Sequence, residues 1–219
     1  MGDYIRRDVM SFIEDIEYFE SVESNNSYIR KIGGVPILFT APHTMNQHLE
    51  DGTIKYSEPY TKAIAMYMNK YFNTSYLIKV IDTGVDSNRD NHDEFKEELL
   101  RIVKDNEIKL VIDLHGADKN RDFDVEFGTL NNLSADFSTI KELENAFVSR
   151  GIINVVHNDP FKGGAITQYL FNVKDLDVIQ LEINGRFRSM ERIDNLELLC
   201  NALMDFINRY IESIIREKE

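Results

Sequence analysis

The stretch Leu110-Val111-Ile112-Asp113-Leu114-His115-Gly116 decides how the rest of the chain is read. Its unbroken apolar start predicts a strand buried on both faces, as in a parallel sheet covered by helices. Asp113 and His115 stand two residues apart at the carboxyl end of that strand. An extended backbone points both side chains to the same face. In an open α/β sheet, ligands bind just outside the carboxyl ends of the strands. The stretch therefore predicts a central strand and, at its end, a polar site.

Working outward, apolar runs alternate with amphipathic segments. Residues 35–40, 76–81, 123–127, 152–156 and 178–183 read as further strands. Residues 58–72, 92–106 and 138–150 read as helices, the first with Pro59 in its opening turn. Leu196, Leu199, Leu203, Phe206, Tyr210 and Ile214 recur at steps of three and four, which predicts a long final helix. Asp194 and Glu197 are spaced as a capping-box variant at its start. Residues 11–19 suit a short helix, and 21–27, rich in Ser and Asn, a loop. Such alternation predicts an α/β fold of three layers (α/β/α) around a mixed, largely parallel sheet. No linker or repeat interrupts it, so residues 1–219 read as a single domain.

Composition narrows the function. Against 38 acidic side chains there are 25 basic ones, a formal net charge of −13. Nucleic acid and anionic membrane surfaces both select clustered Lys and Arg, so neither is expected as a partner. At 42% hydrophobic residues the chain can build a sizeable core. Cys200 is the lone cysteine, which excludes an intrachain disulfide and a thiolate zinc cluster. Any metal must then be held by His, Asp or Glu. No apolar run approaches the roughly 20 residues of a spanning helix. Met1 to Arg7 has neither a signal peptide's apolar stretch nor a myristoylation signal. The expectation is a cytoplasmic protein, a monomer or small homo-oligomer.

Four polar clusters fall at strand ends: Pro42-His43, Asp86-Ser87-Asn88-Arg89, Asp113-Leu114-His115, and Gln180-Leu181-Glu182. They suggest one shared crevice. His43 and His115 are candidate zinc ligands, with Asp113 as a carboxylate orienting a ligand from behind. A hydrogen-bonded, half-buried histidine is the other reading of each. Glu58 is the preferred third ligand, with Glu50 and Asp51 as competitors; it also reads as a first-turn acid complementing a helix dipole. His48 reads as a loop histidine. Glu182 is a candidate general base, or a salt-bridge partner of Arg186 or Arg188. Arg89, helped by Asn88, could clamp a substrate carboxylate. Gly163-Gly164 would allow a ligand to approach the backbone.

In this order the clusters resemble the N-formylglutamate amidohydrolase family, which is similar in fold and site to carboxypeptidase A and the aspartoacylases. The resemblance runs from about Ile37 to Arg188 and includes Phe127-Gly128-Thr129 and the segment 158–167. It implies a zinc-exopeptidase (phosphorylase/hydrolase-like) type of fold and one Zn2+ on His43, Glu58 and His115. It also implies Glu182 as general base, and Asn88 and Arg89 on a substrate carboxylate. Asn158, Gly163, Gly164 and Thr167 would form the substrate side, with Arg89 or Arg186 assisting the oxyanion. Thr44-Met45 stands where the family usually has Ser-Gly, and Ser87 where it has Leu. The function implied is zinc-dependent hydrolysis of a small amide that carries a carboxylate, such as an N-formyl amino acid. The alternatives are a carboxypeptidase-like hydrolase of peptides or cell-wall fragments, and a binding relative without turnover.

Overall fold

The computed structural model describes residues 9–90 and 93–216. The reading of Met1 to Arg7 and the predicted helix start at His92 lie outside them. In chain order the elements are α1 (Val9–Ser21), β1 (Tyr28–Lys31), β2 (Ile37–Ala41), β3 (Gln47–His48), β4 (Ile54–Lys55), α2 (Thr61–Phe72), β5 (Ser75–Lys79) and α3 (Glu94–Asp105). Then come β6 (Leu110–Ala117), β7 (Val125–Gly128), α4 (Phe137–Ser149), β8 (Val155–His157), α5 (Ala165–Leu170), β9 (Asp177–Asn184) and α6 (Ile193–Arg216). Seven strands form one sheet in the order β1-β5-β2-β6-β9-β7-β8. The central four are parallel, as is β7 with β8; β1 joins β5, and β7 joins β9, antiparallel. The fold is thus α/β with a mixed, largely parallel sheet.

The period of two along the strands sorts the core into two layers. Leu110, Ile112 and Leu114 of β6, with Ile179, Leu181 and Ile183 of β9, pack beneath α1, α2, α4 and α6. Val111 and Val178 face the opposite way, into a smaller layer with Phe95, Leu99 and Ile102 of α3 and Ile166 and Leu170 of α5. By the same alternation Asp113, His115, Gln180 and Glu182 lie on the smaller-layer face. There α3 and α5 cover only part of the strands, and the carboxyl ends of β6 and β9 open onto a cavity.

Several boundaries differ from expectation for local reasons. Tyr60 adopts φ 68° and stands as the N-cap of α2, so the helix begins at Thr61 and Pro59 lies outside it. Glu58 is therefore not a first-turn acid. Asp93 caps α3, its side chain accepting the N–H of Phe95. The final helix starts at Ile193, directly after a 3-10 turn (Met190–Arg192) capped by Ser189, so Asp194 is inside the first turn and forms no capping box. Residues 152–154 precede β8 rather than begin it. The edge strand β1, the β3–β4 hairpin and the short helix α5 carry too few apolar repeats to be read from sequence. Among the described residues no helix is long and apolar enough to cross a membrane.

Candidate active site

β2, β6 and β9 run parallel and in register, with Thr40 beside Asp113, Asp113 beside Gln180, and His115 beside Glu182. The Thr40 hydroxyl donates to Asp113 Oδ1 at 2.6 Å, and Asp113 Oδ2 lies 2.9 Å from His115 Nε2. A carboxylate can only accept, so Nε2 donates to Asp113, and Nδ1 is the nitrogen turned toward Glu58. That Nδ1 lies 3.3 Å from Glu58 Oε2. His43, two residues past β2, repeats the pattern. Its Nε2 lies 2.8 Å from Asp86 Oδ1, and its Nδ1 lies 3.1 Å from Glu58 Oε1. The two imidazoles meet edge to face, with ring centroids 4.9 Å apart.

Both Nδ1 atoms thus converge on one carboxylate, with each ring fixed from behind by its own aspartate. The ligand atoms of His43, Glu58 and His115 all lie within 4.8 Å of one another, and all three side chains are buried. Two imidazoles and a carboxylate suit zinc, and carboxylates behind the rings raise ligand basicity. The donor set fits such an ion.

The charges interlock. Burial opposes ionisation of Glu58, yet the two histidines hold its pKa well below the usual carboxylate range. Burial likewise opposes charge on His115, but the carboxylates of Asp113 and Glu58 hold its pKa well above the usual imidazole value. Asp86 is brought down to about 2 against burial, chiefly by its hydrogen bond to His43. Glu58 also accepts from the Lys55 ammonium at 2.6 Å and the Gly116 N–H at 2.9 Å.

Glu182 is 5% exposed, and Gln180 Nε2 donates to its Oε1 at 2.6 Å. Burial pushes its pKa up; His115 opposes the shift and Glu58 adds to it. Neither Arg186 nor Arg188 pairs with it. The buried Arg188 instead donates to three carbonyls: Ile183 at 3.0 Å, Pro59 at 2.7 Å and Ala117 at 3.2 Å. One guanidinium so links the segments carrying Glu182, Glu58 and His115. Across β9, Glu126 of β7 stands opposite Glu182, fully buried, and accepts the N–H of Phe161 at 2.7 Å.

Several of these groups border a cavity of about 500 Å³. Its lining includes His43, Lys55, Glu58, His115, Glu182 and, among the residues expected on the substrate side, Asn88, Gly163 and Gly164. Gly164 packs so closely on Asn88 that a Cβ there would lie 2.0 Å from Asn88 Oδ1. Its N–H donates to Gln180 Oε1. Four other expected residues lie outside the lining. Arg89 is half exposed and bound to Asp51 and Asp90. Asn158 clasps the backbone N–H groups of Thr129 and Asn131. Thr167 is buried in α5, its side chain against Gly163. Arg186 reaches the carbonyl of Phe123 at 3.3 Å and Asp124 at 3.4 Å.

The competitors for the third ligand fall elsewhere: Asp51 pairs with Arg89, and Glu50 is exposed. His48 is bound to Asp82 in the exposed hairpin. At the family departure, the Thr44 hydroxyl donates to the carbonyl of Lys79. Sequence reasoning missed Asp86 as the partner of His43, Lys55 as the partner of Glu58, and Arg188 as the link. Of these, Asp86 opens one of the four strand-end clusters, and Arg188 was read from sequence only as a salt-bridge partner of Glu182.

Residues 89–187, somewhat under half of the chain, match the profile of the N-formylglutamate amidohydrolase family, so the resemblance drawn from the motifs is borne out there. No curated protein sequence matches the chain. Among solved structures, the N-formylglutamate amidohydrolase from Ralstonia eutropha JMP134 superposes with a TM-score of 0.67 at 14% identity, covering 87% of this chain and 99% of that one. A gene product of Agrobacterium tumefaciens gives 0.60 at 13% identity, over 91% and 99% of the two chains. A bacteriophage poly-gamma-glutamate hydrolase gives 0.54 at 15%, over 90% and 96%. At these identities the likeness is one of fold.

Proposed function

We propose that the chain is a zinc-dependent amidohydrolase that cleaves the amide of a small N-acyl amino acid such as N-formylglutamate. One observation carries the reading: the Nδ1 atoms of His43 and His115 converge on Glu58, in the same cavity as Glu182. The family match over residues 89–187 supports the reaction class. His43, Glu58 and His115 would hold the ion. When bound, it supplies Lewis acidity to the amide carbonyl and acidifies a water.

The remaining work falls to side chains of this chain. Glu182 takes a proton from the attacking water and delivers it to the amine nitrogen as the C–N bond breaks. The water oxygen ends on the acyl carbon and the proton on the amine. Gln180 fixes the plane of the Glu182 carboxylate by holding Oε1. Asp86 and Asp113 keep both rings in the tautomer that presents Nδ1.

The test is metal content and hydrolysis in the wild type and in Glu182→Gln, assayed on N-formyl amino acids, N-acyl amino acids and short peptides. The variant keeps near-stoichiometric zinc and loses turnover by about 10²–10⁴-fold. Equal turnover in the two proteins rules out the mechanism. Preference for peptides over acyl amino acids moves the substrate to the carboxypeptidase-like class.

A further inference from the structure

Two cations at the cavity lining stand without a carboxylate partner among the described residues. Arg121, from the loop after β6, and Lys162, from the loop before α5, both line the cavity and are exposed. Phe161, next to Lys162 in the chain, has its ring centroid 5.3 Å from the Arg121 guanidinium carbon. The other basic groups near the site are already engaged: Lys55 with Glu58, Arg188 with three carbonyls, and Arg89 with Asp51 and Asp90.

Buried polar groups hold both loops in place. Asn184, fully buried, donates to the carbonyls of Arg121 at 3.1 Å and Phe123 at 2.9 Å. Arg186 adds a bond to Phe123. On the other loop, Glu126 fixes the N–H of Phe161, and the N–H of Leu130 donates to the carbonyl of Lys162 at 2.6 Å. The protein thus holds two unneutralised cations at its cavity while carrying a net charge of −13. A guanidinium kept in place by an aromatic face presents a fork that matches a planar carboxylate. The same lining carries Glu58, Asp86, Asp118 and Glu182, so an anion entering the cavity is held by direct contact with these two cations.

We propose that Arg121, with Lys162 on the same cavity lining, is the subsite that receives a carboxylate carried by the substrate away from the scissile amide. The assignment rests on the amidohydrolase reading above, and it makes Arg121 rather than Arg89 the specificity-determining arginine.

The test compares N-formylglutamate with two analogues, N-formylglutamine and the α-amide of N-formylglutamate, each lacking one carboxylate. Wild type, Arg121→Ala, Arg121→Lys, Lys162→Ala and Arg89→Ala are assayed. One amide replacement costs the wild type about tenfold in kcat/KM, carried by KM. Arg121→Ala removes that discrimination, Arg121→Lys retains part of it, and Lys162→Ala weakens it about threefold. Discrimination that survives in Arg121→Ala, or that collapses in Arg89→Ala instead, overturns the proposal. If the wild type hydrolyses none of the three compounds, the functional reading fails, and binding decides the subsite. Glutarate is then titrated into metal-free wild type and Arg121→Ala. Binding weakened about fivefold or more in the variant upholds the subsite, and equal binding removes it.

Discussion

Asp86 Oδ1 stands 2.8 Å from Nε2 of His43 and also accepts the backbone N–H of Asn88 at 2.9 Å. One carboxylate oxygen thereby fixes a ring at the end of β2 and the turn that carries Asn88 into the cavity lining. A substitution at Asp86 should therefore act on metal affinity through the ring. We expect Asp86→Asn to weaken zinc binding by about 10–100-fold, and Asp113→Asn to do the same through His115. Competition with a chelator of known affinity measures this. Unchanged affinity in both variants shows that the aspartates do not tune the ligands.

Acid should destabilise the metal-free protein through the same pair. The Asp86 pKa of about 2 lies below the ordinary aspartate value of 3.8. A carboxylate depressed on folding contributes stability that is complete above its unfolded pKa and is lost as pH falls through the folded one. The loss is expected between about pH 4 and pH 2 and is on the order of 2 kcal/mol. Denaturant unfolding of metal-free wild type and Asp86→Asn, at about pH 5 and pH 2.5, gives the difference. The wild type loses more stability than the variant, and parallel losses would contradict the linkage.

Arg188 is a structural keystone of the site. Replacing it with Met leaves three carbonyls, two of them in buried bonds, without their donor, at a cost of about 3 kcal/mol. Arg188→Lys recovers part of that, since one ammonium cannot span three divergent acceptors. Urea midpoints at constant slope measure both. A Met variant as stable as wild type would mean that water replaces the guanidinium.

Gly128 tests the loop that carries Phe161 and Lys162. A Cβ at this position would lie 2.5 Å from Gly163 N and 3.0 Å from the Phe161 carbonyl oxygen, both backbone atoms that yield only if the loop moves. Gly128→Ala should lower kcat/KM by about tenfold or more while leaving zinc affinity unchanged, because the shift touches substrate contacts and not the ligands. Loss of both together would place the effect in the fold instead.

The architecture was legible because periodicity is a local property. The run Leu110-Val111-Ile112 and the heptad-like spacing of Leu196 to Phe206 each needed only neighbouring residues to be read. Both the central strand and the long final helix are present in the structure. The edges were less legible. β1 is a four-residue strand with only Tyr28 and Ile29 partly buried, and α2 starts late because Tyr60 takes a left-handed backbone that no composition signal announces.

By itself, the sequence determined that two histidines and two carboxylates stand at strand ends. The pleat then dictated that Asp113 with His115, and Gln180 with Glu182, share a face. Tertiary structure alone decided which groups meet. Asp86 lies 43 residues from His43, and Arg188 lies 129 residues from Pro59, so only the packed sheet brings either pair within hydrogen-bonding distance. It also separated arginines that look alike in sequence. Arg89 is drawn onto two aspartates and Arg186 onto loop carbonyls, while Arg121 remains unneutralised beside the cavity. The physical reason is that an arginine's role is set by the charges that surround it in space, and these come from distant parts of the chain.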